Sequence, residues 1–109
     1  MSAAAFPVLD EANFDAQVVA RPGVTVVDFW SASCIPCRQM ARLLQQVAAE
    51  VPTSVLIGQV DADRNPRLVE RFGVRGLPTL LLFKDGALAE TRTGIDRKQV
   101  LRKAIEALA

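Results

Sequence analysis

The chain has no histidine and no tyrosine, one tryptophan and only two cysteines among its 109 residues. A zinc site draws four ligands, mostly from cysteine and histidine. This chain cannot supply them alone, so a metal site would need dimerisation or carboxylates to complete it. An excess of charge is also missing: 13 basic residues stand against 12 acidic ones, a net of +1. That balance gives no reason to expect nucleic acid or an anionic membrane as a partner. No apolar run approaches the roughly 18 residues that a membrane span requires. The opening stretch, MSAAAFPVLD, has neither a positive n-region nor an apolar h-region, so no secretory signal is expected and a cytoplasmic location is the default. Repeats, low-complexity tracts and linkers are absent, and the length suggests one domain over 1–109. Half of the residues are hydrophobic, enough for a core without metal or disulfide staples.

What is present is a local pattern of elements. Asp10 can cap a first helix over Glu11 to Ala20, with Phe14 and Val18 on one face. Arg21-Pro22-Gly23 breaks it. VTVVDFW, Val24 to Trp30, reads as a strand buried on both faces, as in a parallel sheet. From Cys37 the apolar residues Met40, Ala41, Leu44, Val47, Ala48 and Val51 follow a helical period that Pro52 ends. SVLIGQV, Ser54 to Val60, is a second strand. Asn65 and Pro66 open a short helix that Gly73 closes. TLLLF, Thr79 to Phe83, is a third buried strand, and Asp85-Gly86 turns the chain into Leu88 to Thr93. Asp96 then caps a last helix with Val100, Leu101, Ala104, Ile105 and Leu108 inward. A short strand around Phe6 to Val8 can precede the whole. Alternating strands and helices imply an α/β fold, with parallel pairing through crossovers and one antiparallel hairpin edge. The expected architecture is a central mixed sheet of four to five strands flanked by helices on both faces.

The two cysteines lie in FWSASCIPCRQM, at the border between the first strand and the long helix. Cys34 stands at the mouth of that helix, where unpaired N–H groups and the positive end of the helix dipole favour thiolate over thiol. The thiolate is the species that attacks a disulfide. Cys37 lies one turn inside, on the apolar face, and should be the more buried. That spacing brings the two sulfurs within bonding reach, so the first can attack a disulfide and the second displace the product. Pro36 falls in the first turn, where its missing N–H costs little. The plainer alternative is that both cysteines are core residues.

Asp28 interrupts an otherwise apolar strand six residues before Cys34. Burial disfavours a charged carboxylate and raises its pKa. Such a group could take the proton from Cys37, directly or through a water; a strand-end or satisfied core aspartate is the alternative. Pro78 enters a buried strand it cannot donate to. A cis Leu77–Pro78 bond in a tight turn would resolve this, although trans is the commoner isomer. The arginines Arg64, Arg67, Arg71 and Arg75 fit a solvated helix face better than a docking face.

Taken together, VVDFW, Cys-X-Pro-Cys followed by Arg38, VDADRNP, RFGVRGLPTLLLFKDG and Gly94 resemble the thioredoxin family over nearly the whole chain. The resemblance implies a thioredoxin fold and dithiol–disulfide chemistry. By it, Cys34 is the exposed nucleophile, Cys37 the resolving thiol, Asp28 the buried proton carrier and Pro78 the cis-proline facing the site. Trp30, Ile35, Pro36, Leu77, Pro78, Gly94 and Ile95 would form the apolar patch that docks substrate, with the backbone of Leu77 pairing to an extended segment. Three departures stand out. Ser33 and Ile35 replace the tryptophan and glycine of the usual Trp-Cys-Gly-Pro-Cys. Gln59 replaces a lysine near the buried aspartate, which removes a cation that favours its ionised form. Arg42 replaces the proline that usually kinks the long helix, so a straighter helix is expected.

The leading expectation is a disulfide reductase acting on protein disulfides and recharged by a flavin- and NADPH-dependent thioredoxin reductase. No cofactor motif occurs in the chain, so its electrons must come from a partner protein. An oxidase or isomerase of the same fold and a non-catalytic binding module are the alternatives. A monomer is the default.

Overall fold

The computed structural model describes residues 6–109. Five strands form one mixed sheet in the order β1-β3-β2-β4-β5. They are β1 (Val8–Leu9), β2 (Val24–Trp30), β3 (Leu56–Asp61), β4 (Thr79–Lys84) and β5 (Ala87–Thr93). β1 and β2 both run parallel to β3, while β4 is antiparallel to β2 and to β5. The helices are α1 (Ile35–Ala48), α2 (Pro66–Arg71) and α3 (Lys98–Leu108). This is the thioredoxin fold, with the central mixed sheet and flanking helices that the alternation of elements implies.

Side chains alternate across a strand, so each strand serves two cores. On one face Val24, Val26, Leu80 and Leu82 pack with Met40, Leu44 and Val47 of α1 and with Leu101 and Ile105 of α3. On the other, Val27, Phe29, Leu81 and Phe83 pack with Phe14, Val18 and Leu68. Asp28 has the parity of Val26, and Gln59 that of Ile57. Both therefore belong to the face covered by α1, and the register sets them directly opposite each other.

The boundaries differ from expectation where a local pattern met a tertiary demand. The first helix does not fill Glu11–Ala20. Asp10 caps the turn before it and not the helix itself, which has no side-chain cap: its Oδ1 accepts from the N–H groups of Ala12 and Asn13 at 2.9 and 2.8 Å, while Asn13 Oδ1 accepts in return from the Asp10 N–H. Residues 11–13 form turns, and Asp15–Val19 is a π-helical coil that places Phe14 and Val18 in the core. The third strand starts at Leu56 rather than Ser54, because the Val55 N–H turns back to the Pro52 carbonyl at 3.0 Å. The first strand is Val8–Leu9 rather than Phe6–Val8. α1 ends at Ala48, although the N–H of Val51 still reaches the Val47 carbonyl before Pro52 forbids more. It runs unbroken through Arg42.

Asn65 occupies the N-cap position of α2, but its side chain does not cap that helix. Its Oδ1 accepts from Glu11 N–H at 3.0 Å and its Nδ2 donates to the Asp61 carbonyl at 2.9 Å. Glu11 does the capping instead, its Oε2 accepting from the Arg67 N–H at 2.8 Å. Asp96 likewise does not cap the last helix. α3 starts two residues later, and the Asp96 carboxylate is held by Arg92. Val100, expected inward, is exposed, because α3 turns only Leu101 and Ile105 fully into the core. The hairpin turn is as expected: Asp85 and Gly86 both have positive φ, 51° and 82°, as a two-residue turn between twisted strands requires. A side chain at Gly86 would also collide with the Val19 carbonyl.

The arginine row is divided. Arg64 lies 3.7 Å from Asp61, and Arg71 pairs with Asp15 at 2.8 Å while its guanidinium covers the rings of Phe14 and Phe72.

Candidate active site

β2 ends at Trp30, and the chain turns through Ser31-Ala32-Ser33 into α1. The Cys34 N–H closes this turn on the Ser31 carbonyl at 3.2 Å. Cys34 is the N-cap of α1, in extended conformation, and its Sγ accepts from the Cys37 N–H at 3.2 Å. The sulfur thus occupies the place where a capping oxygen usually satisfies a helix donor. Pro36 falls in the first turn, where no N–H is needed. Cys34 and Cys37 are joined as a disulfide across a Cα–Cα separation of 5.3 Å. Their surroundings differ: Cys34 is half-buried, while Cys37 is buried beside Met40 on the core face of α1.

Behind the pair, Asp28 has no exposed surface. Its Oδ2 accepts from Gln59 Nε2 at 3.2 Å. Its Oδ1 has no partner among the described residues. Loss of hydration is the larger influence, and it outweighs the Gln59 hydrogen bond that favours the carboxylate. The pKa rises from the ordinary 3.8 to about 6. A cleft of about 300 Å³ opens beside these groups, lined by Trp30, Ser31, Ala32, Cys37, Arg38, Ala41, Arg42 and Gln59. Cys37 and Gln59 therefore share one solvent-facing wall, with Asp28 one hydrogen bond behind it.

The other predicted residues approach from β4 and β5. Phe29 pairs with Thr79, so the turn after Trp30 and the loop before β4 lie at the same end of neighbouring strands. The Leu77–Pro78 bond is cis. The Thr79 hydroxyl donates to the Gly76 carbonyl, and the Gly94 N–H donates to the Pro78 carbonyl at 2.9 Å. Gly94 is thereby tied to Pro78. Ile35 is 73% exposed and Pro36 is also exposed, whereas Trp30 and Leu77 are half-buried and Pro78 is buried. Leu77 rests on the core of the opposite sheet face with Phe72 and Val74. Ile95 is exposed and lines a groove against α1 with Gln39, Arg42 and Leu43. Arg42 belongs to both hollows, which sequence reasoning missed. Its signal was present: Cys37, Arg38, Ala41 and Arg42 repeat at the spacing of one helix face. No cluster of three or more potential metal ligands occurs among the described residues.

The Thioredoxin family model matches residues 5–107. The chain belongs to the thioredoxin family. It is 38% identical over 99 residues to thioredoxin of Rhodospirillum rubrum, covering 91% of this chain and 95% of that one. It is 33% identical over 106 residues to thioredoxin 1 of Synechococcus elongatus, covering 97% of each. Among solved structures, a single-residue mutant of thioredoxin from Halobacterium salinarum superposes with a TM-score of 0.84 at 28% identity, covering 94% of this chain and 88% of that one. This member of the thioredoxin family is a thiol–disulfide oxidoreductase of the protein-disulfide reductase type, and its redox centre is the Cys34–Cys37 pair.

Proposed function

We propose that residues 1–109 act as a single monomeric domain in the cytoplasm, reducing protein disulfides through a mixed disulfide at Cys34. The asymmetry of the two sulfurs supports this most directly: one caps a helix at the surface, and the other is buried one turn inside. The reduced Cys34 sulfur at that position is favoured as thiolate by the Cys37 N–H and the helix dipole. It attacks one sulfur of the substrate disulfide, and the other sulfur leaves as a thiolate that takes its proton from solvent. Cys37 gives its proton toward Asp28, then attacks Cys34 Sγ and frees the second substrate thiol. Trp30, Ile35, Pro36, Leu77, Gly94 and Ile95 dock the substrate around Pro78, and the backbone beside Pro78 offers strand-like hydrogen bonds. A flavin- and NADPH-dependent thioredoxin reductase returns the two electrons.

The test is trapping. Cys37→Ser should accumulate a covalent complex with a disulfide substrate, and Cys34→Ser should form none and lose turnover. Trapping through Cys37 in the Cys34→Ser protein would reverse the assignment. The reductase direction is checked by equilibration against glutathione. A potential near the roughly −270 mV of thioredoxins supports it, and one near the roughly −180 mV of disulfide isomerase moves the protein to oxidation or isomerisation.

A further inference from the structure

Gln59 stands directly opposite Asp28 in the sheet. The sheet register runs a row of residues through Val8, Gln59, Asp28, Leu80 and Arg92. Of these, only Gln59 hydrogen-bonds to the Asp28 carboxyl, at 3.2 Å, and it is itself 7% exposed. No cation among the described residues forms an ion pair with Asp28. Arg92 is taken by Glu90 and Asp96, and Lys98 and Arg102 of α3 are taken by Glu50. From α1, Cys37, Arg38 and Arg42 face the cleft whose wall Gln59 completes. Asp28 Oδ1 is buried with no partner among the described residues, and Gln59 itself borders the cleft.

An amide holds two donors and two acceptor lone pairs at opposite ends of one planar group. We propose that Gln59 is a positioning residue for proton transfer, turning its amide over to serve both protonation states of Asp28. Nε2 donates to the Asp28 carboxyl in this structure, the orientation that suits the ionised state. With Asp28 protonated, Oε1 accepts from its O–H. A lysine ammonium can donate to either state but cannot accept from the O–H, and an apolar residue can do neither.

This inference rests on the reading that Asp28 receives the Cys37 proton. In that step the S–H bond of Cys37 breaks and an O–H bond forms on Asp28. The Cys37 sulfur then forms the S–S bond to Cys34, the mixed disulfide breaks, and the departing substrate thiolate is protonated from water. Asp28 afterwards returns its proton to solvent through the cleft that Gln59 lines. The charge on Asp28 thus appears and vanishes in each turnover, and a partner that can only donate leaves the O–H of the protonated state without an acceptor.

The test is a pH titration of the wild-type protein by NMR, following the Asp28 carboxyl carbon and the Gln59 side-chain nitrogen. The Gln59 signal should titrate with the midpoint of Asp28; a Gln59 signal flat through that midpoint overturns the proposal. Two variants extend it. Gln59→Leu, of similar size, should raise the Asp28 midpoint, and Gln59→Lys should lower it. Each should slow resolution of the mixed disulfide at pH 7 by roughly three- to tenfold, the worth of about one hydrogen bond, with pH profiles displaced in opposite directions. Unchanged profiles in both also overturn it. Asp28→Asn separates the two layers. If that variant resolves mixed disulfides at the wild-type rate, the proton-carrier reading fails; if it is slow while Gln59→Leu is not, only the present proposal fails.

Discussion

Asp28 and Asn65 are both polar and both almost completely buried, yet the fold treats them in opposite ways. Asn65 is closed: its oxygen takes the Glu11 N–H, its nitrogen reaches the Asp61 carbonyl, and two segments 54 residues apart are joined through it. Asp28 is left open, with one oxygen on Gln59 and the other on no described residue. A satisfied buried polar group holds structure, and an unsatisfied one is held by structure at a cost. The contrast separates the part of this chain that builds the fold from the part that keeps a reactive group in reserve.

The sharpest way to test that contrast is to remove the charge. Folding raises the Asp28 pKa to about 6, so the native state binds this proton more tightly than the unfolded chain does. The penalty is absent below about pH 4, grows as pH rises through 6, and is complete above it. Asp28→Asn should therefore raise the unfolding free energy at pH 8 by up to about 3 kcal/mol, with the gain fading to nothing by pH 4. Denaturant melts at both pH values would show it; a gain independent of pH would mean that the carboxyl is not protonated on burial. The same variant should lose reductase activity, making it a protein that gains stability and loses function together.

Asn65→Ala should go the other way. It leaves the Glu11 N–H and the Asp61 carbonyl without their partner, at a cost of about 2 kcal/mol, equal at pH 5 and pH 8. A cost below about 0.5 kcal/mol would place Asn65 with ordinary surface positions and dissolve the comparison. Smaller still is Glu11→Ala, which removes the long-range cap of α2 and should cost about 1 kcal/mol. Activity should survive both, measured as disulfide reduction per folded molecule.

These long-range closures are also what the sequence concealed. Periodicity carried the strands and helices, the Asp-Gly turn, the buried helix face and the position of the reactive pair, because each depends on residues a few places apart. The clearest failure has the opposite property. Asn65 read as a local cap because nothing nearby signals that Glu11 caps α2 across 56 residues. Asp96 read as a cap although its partner Arg92 lies only four residues back, because their pairing depends on β5 ending between them. The first helix read too long because the pattern of Phe14 and Val18 is the same for one turn as for three. In the site, the neighbourhood of Asp28 and Gln59 was legible through family resemblance. The unpartnered Oδ1 emerged only when the strands were paired, whereas the place of Arg42 was signalled by the spacing of one face of α1.

The order of strands has a consequence for the birth of the protein. β2 carries Asp28 and leads into the cysteines, but both strands that flank it, β3 and β4, follow it in the chain. A ribosome that has just delivered α1 has released both thiols and little of their surroundings. Gln59, Pro78 and Gly94 arrive only with β3, β4 and the turn after β5. Until then Cys34 and Cys37 lack the strands that bury Asp28 and the loops that would dock a substrate. The chemistry of this chain is therefore switched on by the strands translated after it, and the reactive pair, although made early, matures late.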